Sequence, residues 1–223
     1  GLRRPLSGLP ALKPLAGTVP LLAVMIGSVT FDGASEAPIW TGIAPDIASF
    51  FQDVGLSPQN SLELTFLIGL TAAILIVYGF YMLGALGAKS VGGGFSTTRL
   101  ARAFVHSLVP IAFAYVAAHY LTLLLFQGQS IAFLASDPLG DGSDLFGTAD
   151  SQIDYTIIGA NATWYWQVGF VVVGHVAALT LAHDRALALY DQAKLAVRSQ
   201  YWMLAVMVGF TSLALWLLSQ ANA

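Results

Sequence analysis

Cysteine is absent from this sequence of 223 residues, and charged residues make up only 9% of it. The lack of cysteine excludes disulfides, iron–sulfur clusters and metal sites built from thiolates. The scarcity of charge excludes an ordinary soluble domain, in which about 25% of residues are charged. The formal net charge of −3 offers no basic surface for nucleic acid. Because 57% of the residues are hydrophobic, the composition predicts a protein surrounded by lipid.

Long apolar runs are abundant. A helix that crosses the hydrocarbon core needs about 20 mostly apolar residues. The stretches that meet this requirement lie at about 14–31, 62–86, 103–126, 163–182 and 200–219. The predicted fold class is therefore all-α, an integral membrane bundle of about five transmembrane helices that forms a single transmembrane domain. Two longer loops, 32–61 and 127–162, separate these spans on one side of the membrane.

The basic residues are confined to three segments, and those segments predict the orientation. The nine Lys and Arg residues are Arg3, Arg4, Lys13, Lys89, Arg99, Arg102, Arg185, Lys194 and Arg198. They precede the first span or lie between spans two and three and between spans four and five. The other two loops contain none and hold most of the acidic residues. Because basic residues mark the cytoplasmic side, we expect the N-terminus inside and the C-terminus outside.

Four ionisable residues are expected at membrane depth in the outer half of the bundle. They are His119, His175, Asp32 and Glu63. Such residues cost about 2.5–3.5 kcal/mol on insertion scales, so each is a functional candidate. Imidazole and carboxylate together suit zinc, iron, copper or manganese, and they equally suit a proton relay. A third interpretation is structural, with each imidazole bonded to a backbone carbonyl and both carboxylates acting as solvated helix caps.

Haem ligation can be tested by helical spacing. His106 and His119 are 13 residues apart, which turns them about 140° away from each other on one helix. His175 and His183 differ by about 80°. A pair of haems held by two histidines from each helix is therefore excluded, whereas a single haem between His119 and His175 stays open. His106 and His183 are predicted to be interfacial residues without a further role.

Motifs for catalysis are missing. The sequence contains no G-x-S-x-G, Walker, H-E-x-x-H or haem-attachment pattern. The outer loop repeats aspartate and glycine, at Asp137, Asp141 and Asp144, but the spacing does not match an EF-hand. We predict that these residues form turns. Whether the protein is an enzyme stays open at this point.

Four stretches together resemble a poorly characterised family of bacterial polytopic membrane proteins, many of which carry the label fenitrothion hydrolase. They are residues 3–10 (RRPLSGLP), 24–33 (VMIGSVTFDG), 144–150 (DLFGTAD) and 174–183 (GHVAALTLAH). The resemblance runs over nearly the whole chain. It implies a location in the bacterial cytoplasmic membrane and a chain that is the C-terminal part of a longer protein.

The label of this family implies hydrolysis of organophosphate esters, a reaction that ordinarily uses a metal-activated water. The positions that match the family include Asp32, His119, His175 and His183. Relatives often have a second histidine one turn before the position of His119, where this chain has Val116. If that histidine is a ligand, the metal hypothesis is weaker for this chain.

Three functions remain as hypotheses. The first is a transition-metal site formed by His119 and His175 with Asp32 or Glu63, with hydrolysis as a special case. The second is a transporter or a proton or solute path through the same residues. The third is a non-catalytic subunit that docks on other membrane subunits or on the missing N-terminal part. In all three the lipid bilayer is a partner.

Overall fold

The computed structural model describes residue 13 and residues 15–221, and every regular element within them is a helix. The helices are α1 (Thr18–Ser35), α2 (Pro38–Asp53), α3 (Pro58–Ser90), α4 (Thr97–Phe104), α5 (Leu108–His119), α6 (Leu121–Phe126), α7 (Ser130–Ser136), α8 (Ala160–Leu189) and α9 (Ala193–Ala221). The predicted all-α class is confirmed for this part of the chain. Arg3, Arg4 and Pro14, which contributed to the predicted orientation and the start of the first span, lie outside it.

Four helical segments in the described part are long and apolar enough to cross a membrane. They are Thr18–Ser35, Pro58–Ser90, Thr97–His119 and Ala160–Leu189. Each coincides with one of the first four predicted spans. The predicted fifth span, 200–219, lies within α9, but some of its side chains are outside the described part. The total of five spans therefore stays a prediction.

Helix α3 is the longest element of the bundle. The Ser57 side chain caps its first turn by accepting a hydrogen bond from the amide of Asn60, and Pro58 occupies the first helical position. Its 33 residues extend about 50 Å, more than the roughly 30 Å of a hydrocarbon core. The helix ends before three glycines with positive φ, Gly92–Gly94, and this conformation allows the chain to turn into α4.

The predicted third span, 103–126, is not one continuous helix. A 3₁₀ turn at Val105–Ser107 separates α4 from α5, and Tyr120 separates α5 from α6. Pro110 lies in the first turn of α5, where its missing amide hydrogen leaves no helical bond unmade. Regular helical structure is interrupted one turn earlier in the chain, at the 3₁₀ turn.

The predicted outer loop 32–61 is mostly helical. Helix α1 continues to Ser35, and α2 follows after a short turn. Trp40, which lies within the predicted loop 32–61, is buried, with its ring centroid 4.9 Å from that of Phe31. Pro45 and the polar residues of α2 lower its average hydropathy, so a search for long apolar runs does not detect this helix.

Long helices that follow one another along the chain run antiparallel and pack through small residues. Gly27 of α1 lies against Ile74 of α3, and Gly174 of α8 lies against Pro110 and Ala114 of α5. Among the larger side chains, Phe113 and Val173 are 73% and 68% exposed and point away from the bundle. Small residues inside and large apolar residues outside are typical of helices that pack within lipid.

The antiparallel packing separates charge between the two ends of the bundle. The basic end of the bundle contains the start of α1, the end of α3, all of α4, the end of α8 and the start of α9. Every described Lys and Arg residue lies there, namely Lys13, Lys89, Arg99, Arg102, Arg185, Lys194 and Arg198. The opposite end, which contains α2 and the loop 137–159, carries most of the carboxylates.

Candidate functional site

Asp32 and His119 come into direct contact across two helices. The Nε2 atom of His119 is 2.6 Å from Oδ2 of Asp32, a distance at which an imidazole N–H donates to a carboxylate. Asp32 lies in the last turn of α1 and His119 is the last residue of α5. The sequence placed these residues in the same half of the bundle, but it did not predict that they pair.

The pair adjoins an open cavity of about 310 Å³ between α1 and α3. Asp32, Phe66, Leu70 and Tyr120 contribute to its walls. Phe66 and Leu70 are about two to three turns beyond the start of α3, so the carboxylate lies beside the apolar part of that helix. The Tyr120 ring packs edge-on against the His119 ring, with centroids 4.7 Å apart. Tyr120 was not among the residues proposed from the sequence.

His175 lies deeper, in the contact between α5 and α8. Its Nδ1 atom is 2.7 Å from the carbonyl oxygen of Val171. A carbonyl only accepts hydrogen bonds, so Nδ1 carries the proton, and Nε2 of the neutral ring presents a lone pair. That Nε2 atom is buried and has no partner among the described residues. An unsatisfied buried acceptor is costly, and no hydrogen bond within the described part offsets that cost for His175.

Tyr115 connects the two histidines in space. It lies one helical turn before His119 on α5, and its ring centroid is 6.5 Å from that of His175. The shared face of Tyr115 and His119 follows from their spacing of four residues. The contact with His175, however, depends on how closely α5 approaches α8. These three side chains and Asp32 form a polar series from the outer part of α1 to the middle of α8.

Gln167 adds a second buried group with an open acceptor to the same helix contact. Its Nε2 atom donates to the carbonyl oxygen of Ala118 at 3.1 Å. Its Oε1 atom is buried without a partner among the described residues. The amide side chain thus holds the end of α5 against α8 and leaves an acceptor between them.

The other proposed residues lie elsewhere. Glu63 is exposed on α3 and accepts a hydrogen bond of 3.0 Å from Nε2 of Gln59. His183 is 3.0 Å from Oε1 of Gln200 and links α8 to α9. His106 lies in the 3₁₀ turn before α5. The structure therefore brings Asp32 and His119 together. It places His175 next to Tyr115, deeper in the bundle, and Glu63 lies apart from these residues.

No group of three or more His, Asp or Glu side chains in residues 13 and 15–221 is placed to hold a metal ion. Asp32 and His119 supply two potential ligands, whereas structural and catalytic zinc sites use at least three protein ligands. The metal site composed of His119, His175, Asp32 and Glu63 stays a prediction. The pair and His175 offer the chemistry of proton exchange, because each has a site that both binds and releases a proton.

Hydrogen bonds to side chains of the acidic outer loop hold its conformation. The carboxylate of Asp137 accepts hydrogen bonds from the amides of Asp141 and Gly142, both at 3.0 Å. The Ser136 hydroxyl donates to Asp144, and the amide of Ala149 does so at 3.0 Å. These bonds, that from Ser136 foremost, hold the pKa of Asp144 below its ordinary value. The carboxylates thus form turns, as the pattern of Asp and Gly predicted.

Comparison with protein-family models, curated proteins and solved structures finds no match for this chain. The class of the protein follows from its helices alone, which are long and apolar enough for a membrane. Its function must be argued from the geometry of the polar residues.

Proposed function

We propose that this chain is an integral membrane protein of five spans that moves protons through the bundle of α1, α5 and α8. Asp32 and His119 form the outer entrance of the path, and His175 is the internal proton acceptor. The observation that carries this proposal is the buried Nε2 atom of His175, which has a lone pair and no partner among the described residues.

The outer pair suits proton exchange with water. Asp32 is 56% exposed and His119 is 30% exposed, so both remain accessible while in contact with each other. An imidazole nitrogen can donate a proton in one state and accept one in another. A proton received by the pair is shared along its 2.6 Å hydrogen bond. Rotation of the His119 ring then delivers it towards Tyr115.

The inner step requires a bridge. The ring centroids of Tyr115 and His175 are 6.5 Å apart. No hydrogen bond joins the Tyr115 hydroxyl to His175 Nε2, which has no partner among the described residues. A water molecule held between the Tyr115 hydroxyl and His175 Nε2 supplies that bridge, since a buried water needs two to four polar partners. Proton transfer then proceeds through atoms that have no other bond.

The orientation follows from charge. The basic end of the bundle faces the cytoplasm under the positive-inside rule, which puts the Asp32–His119 pair towards the outside of a bacterial cytoplasmic membrane. Helix α9 is the fifth span in this arrangement. It packs antiparallel to α3 with the Met203 sulfur against Gly84, so the C-terminus is outside.

The test is proton uptake by sealed vesicles that contain the purified chain and a pH-sensitive dye. Under an imposed membrane potential, the unaltered protein is expected to acidify the lumen faster than protein-free vesicles do. His175→Gln, Asp32→Asn and His119→Gln should each reduce uptake to the background rate. Asp46→Asn removes an exposed carboxylate on α2 and should change nothing. Uptake at background for the unaltered protein, or at full rate in His175→Gln, would refute the path.

Metal content of the same preparations separates this proposal from the metal hypothesis. We expect no stoichiometric transition metal in the purified protein. A stoichiometric metal that is lost in both His119→Ala and His175→Ala would favour the metal site instead. In that case organophosphate hydrolysis, implied by the family resemblance, becomes the activity to assay.

A further inference from the structure

A second cavity, of about 380 Å³, lies at the basic end of the bundle between α4 and the end of α8. Three guanidinium groups line it, those of Arg99, Arg102 and Arg185. Ser96 and Thr98 add two hydroxyl groups. No carboxylate contributes to its walls. We refer to it as the arginine cavity. Its chemistry is that of a site for an anion with several oxygen atoms.

Two of the arginines have no acidic partner. Within the described part of the chain, no carboxylate lies within 4.0 Å of Arg99 or Arg102. Like charges around one space repel each other, and this repulsion opposes folding unless an anion relieves it. The positive charges of Arg99 and Arg102 are therefore not neutralised by a carboxylate of the described part.

Two of the side chains are held in place. The Nε atom of Arg185 donates to the carbonyl oxygen of Ala103 at 3.1 Å. The guanidinium of Arg99 stacks over the Phe95 ring at 4.6 Å, and Phe95 packs against the buried Tyr190 ring at 5.2 Å. The stacking contact of Arg99 uses the face of the guanidinium and leaves its N–H groups for a ligand. Prior placement of the donors lowers the entropic cost of binding.

Helix α4 reinforces the positive potential. Ser96 caps it by accepting a hydrogen bond of 3.2 Å from the amide of Arg99, and its hydroxyl hydrogen can still donate to an anion. The N-terminus of the helix carries a partial positive charge at the edge of the cavity. Hydroxyl groups, guanidinium groups and a helix N-terminus together are the donors that proteins use for phosphate.

We propose that the arginine cavity binds a phosphate group. The planar guanidinium matches two phosphate oxygens at once, and the cavity lies where the helices leave the apolar zone. Leu189 and Ala103 complete its wall, so one side of the site is apolar. The phosphate can be carried by the headgroup of an anionic lipid or be free in the aqueous phase. Basic pockets between transmembrane helices are suited to anionic headgroups.

The experiment measures binding to the full chain in neutral phosphatidylcholine nanodiscs. Phosphatidylglycerol is titrated in one arm and inorganic phosphate in the other, with lipid-bound protein counted by native mass spectrometry. Arg102→Gln and Arg99→Gln should each weaken phosphate binding about tenfold, because each removes a charge-assisted hydrogen bond. Arg198→Gln removes an equal charge at the same end, outside the cavity, and should change affinity less than twofold.

Saturable binding in the lipid arm alone identifies a headgroup site, and competition by inorganic phosphate identifies a site for the free anion. Arg99→Lys keeps the charge but loses the planar donor pair, so it should bind more weakly than the unaltered chain. Equal weakening by Arg198→Gln would show only diffuse attraction between charges and would overturn the proposal. The absence of saturable binding in both arms would do the same.

Discussion

At the scale of single residues, the buried polar atoms differ in whether they have a hydrogen-bond partner. The Tyr81 hydroxyl donates to the carbonyl oxygen of Ala101 at 2.6 Å, which joins α3 to α4. This carbonyl precedes the 3₁₀ turn at Val105–Ser107, where regular helical bonding is interrupted. His175, by contrast, satisfies only one of its two ring nitrogens. The bond of Tyr81 accounts for its burial, whereas the Nε2 atom of His175 has no partner among the described residues.

Tyr81→Phe should lower the free energy of unfolding by about 1 kcal/mol, because it removes one buried hydrogen bond and keeps the ring. The measurement is cooperative unfolding in mixed detergent micelles, followed by circular dichroism. Tyr78→Phe is the matched control on the same helix, since that side chain is 38% exposed and has no hydrogen bond within the described part. Equal stability of the two variants would show that the bond to Ala101 contributes nothing.

At the scale of helices, small residues set the distances between elements. A Cβ atom at Gly174 would lie 2.3 Å from Cβ of Ala114 and 2.9 Å from the carbonyl oxygen of Pro110. Such contacts are too short, so α5 and α8 approach closely only because position 174 has no side chain. The same approach places Tyr115 next to His175. Helix spacing and the proposed proton path therefore depend on one glycine.

Gly174→Ala should destabilise the protein by about 2 kcal/mol through overpacking and should also slow proton uptake. Gly169→Ala, on the same helix, meets no atom within 4 Å. It should be neutral or stabilising by up to about 1 kcal/mol, because alanine favours a helix. Both variants are measured by unfolding in micelles and by vesicle uptake. A Gly174→Ala protein as stable as Gly169→Ala would contradict the close contact of α5 with α8.

At the scale of the whole molecule, charge is distributed along the axis of the bundle. Asp32 and His119 lie towards one end, and the arginine cavity lies at the other. Each end thus has its own polar chemistry, and the large apolar side chains between them face outward. A bilayer around these side chains separates the two polar regions, so a proton path and a phosphate site can operate without contact.

The proposed orientation is tested by single cysteines, since the chain has none of its own. Leu139→Cys replaces a side chain that is 83% exposed in the acidic loop, and an impermeant maleimide should label it in intact cells. Lys194→Cys, at the start of α9, should react only after permeabilisation. The reverse labelling would contradict the orientation. Labelling of both from one side would contradict the alternation of spans.

The sequence by itself determined the all-α class and the approximate positions of four apolar helical segments. Four apolar runs that the structure confirms as helices were visible because a span requires about 20 such residues in succession. Local rules also predicted the turns of the acidic loop. Apolar helices and Asp–Gly turns depend on residues that are close along the chain, so hydropathy and turn patterns detect them from the sequence.

Only the tertiary structure decided which distant residues meet. Asp32 and His119 are 87 positions apart, and their pairing depends on how α1 and α5 pack. Glu63 satisfied the same criteria in the sequence but lies apart from the pair, because its position on α3 faces outward. The helix α2 and the arginine cavity were likewise not predicted. Their formation depends on packing between elements, and average hydropathy and residue spacing contain no information about such contacts.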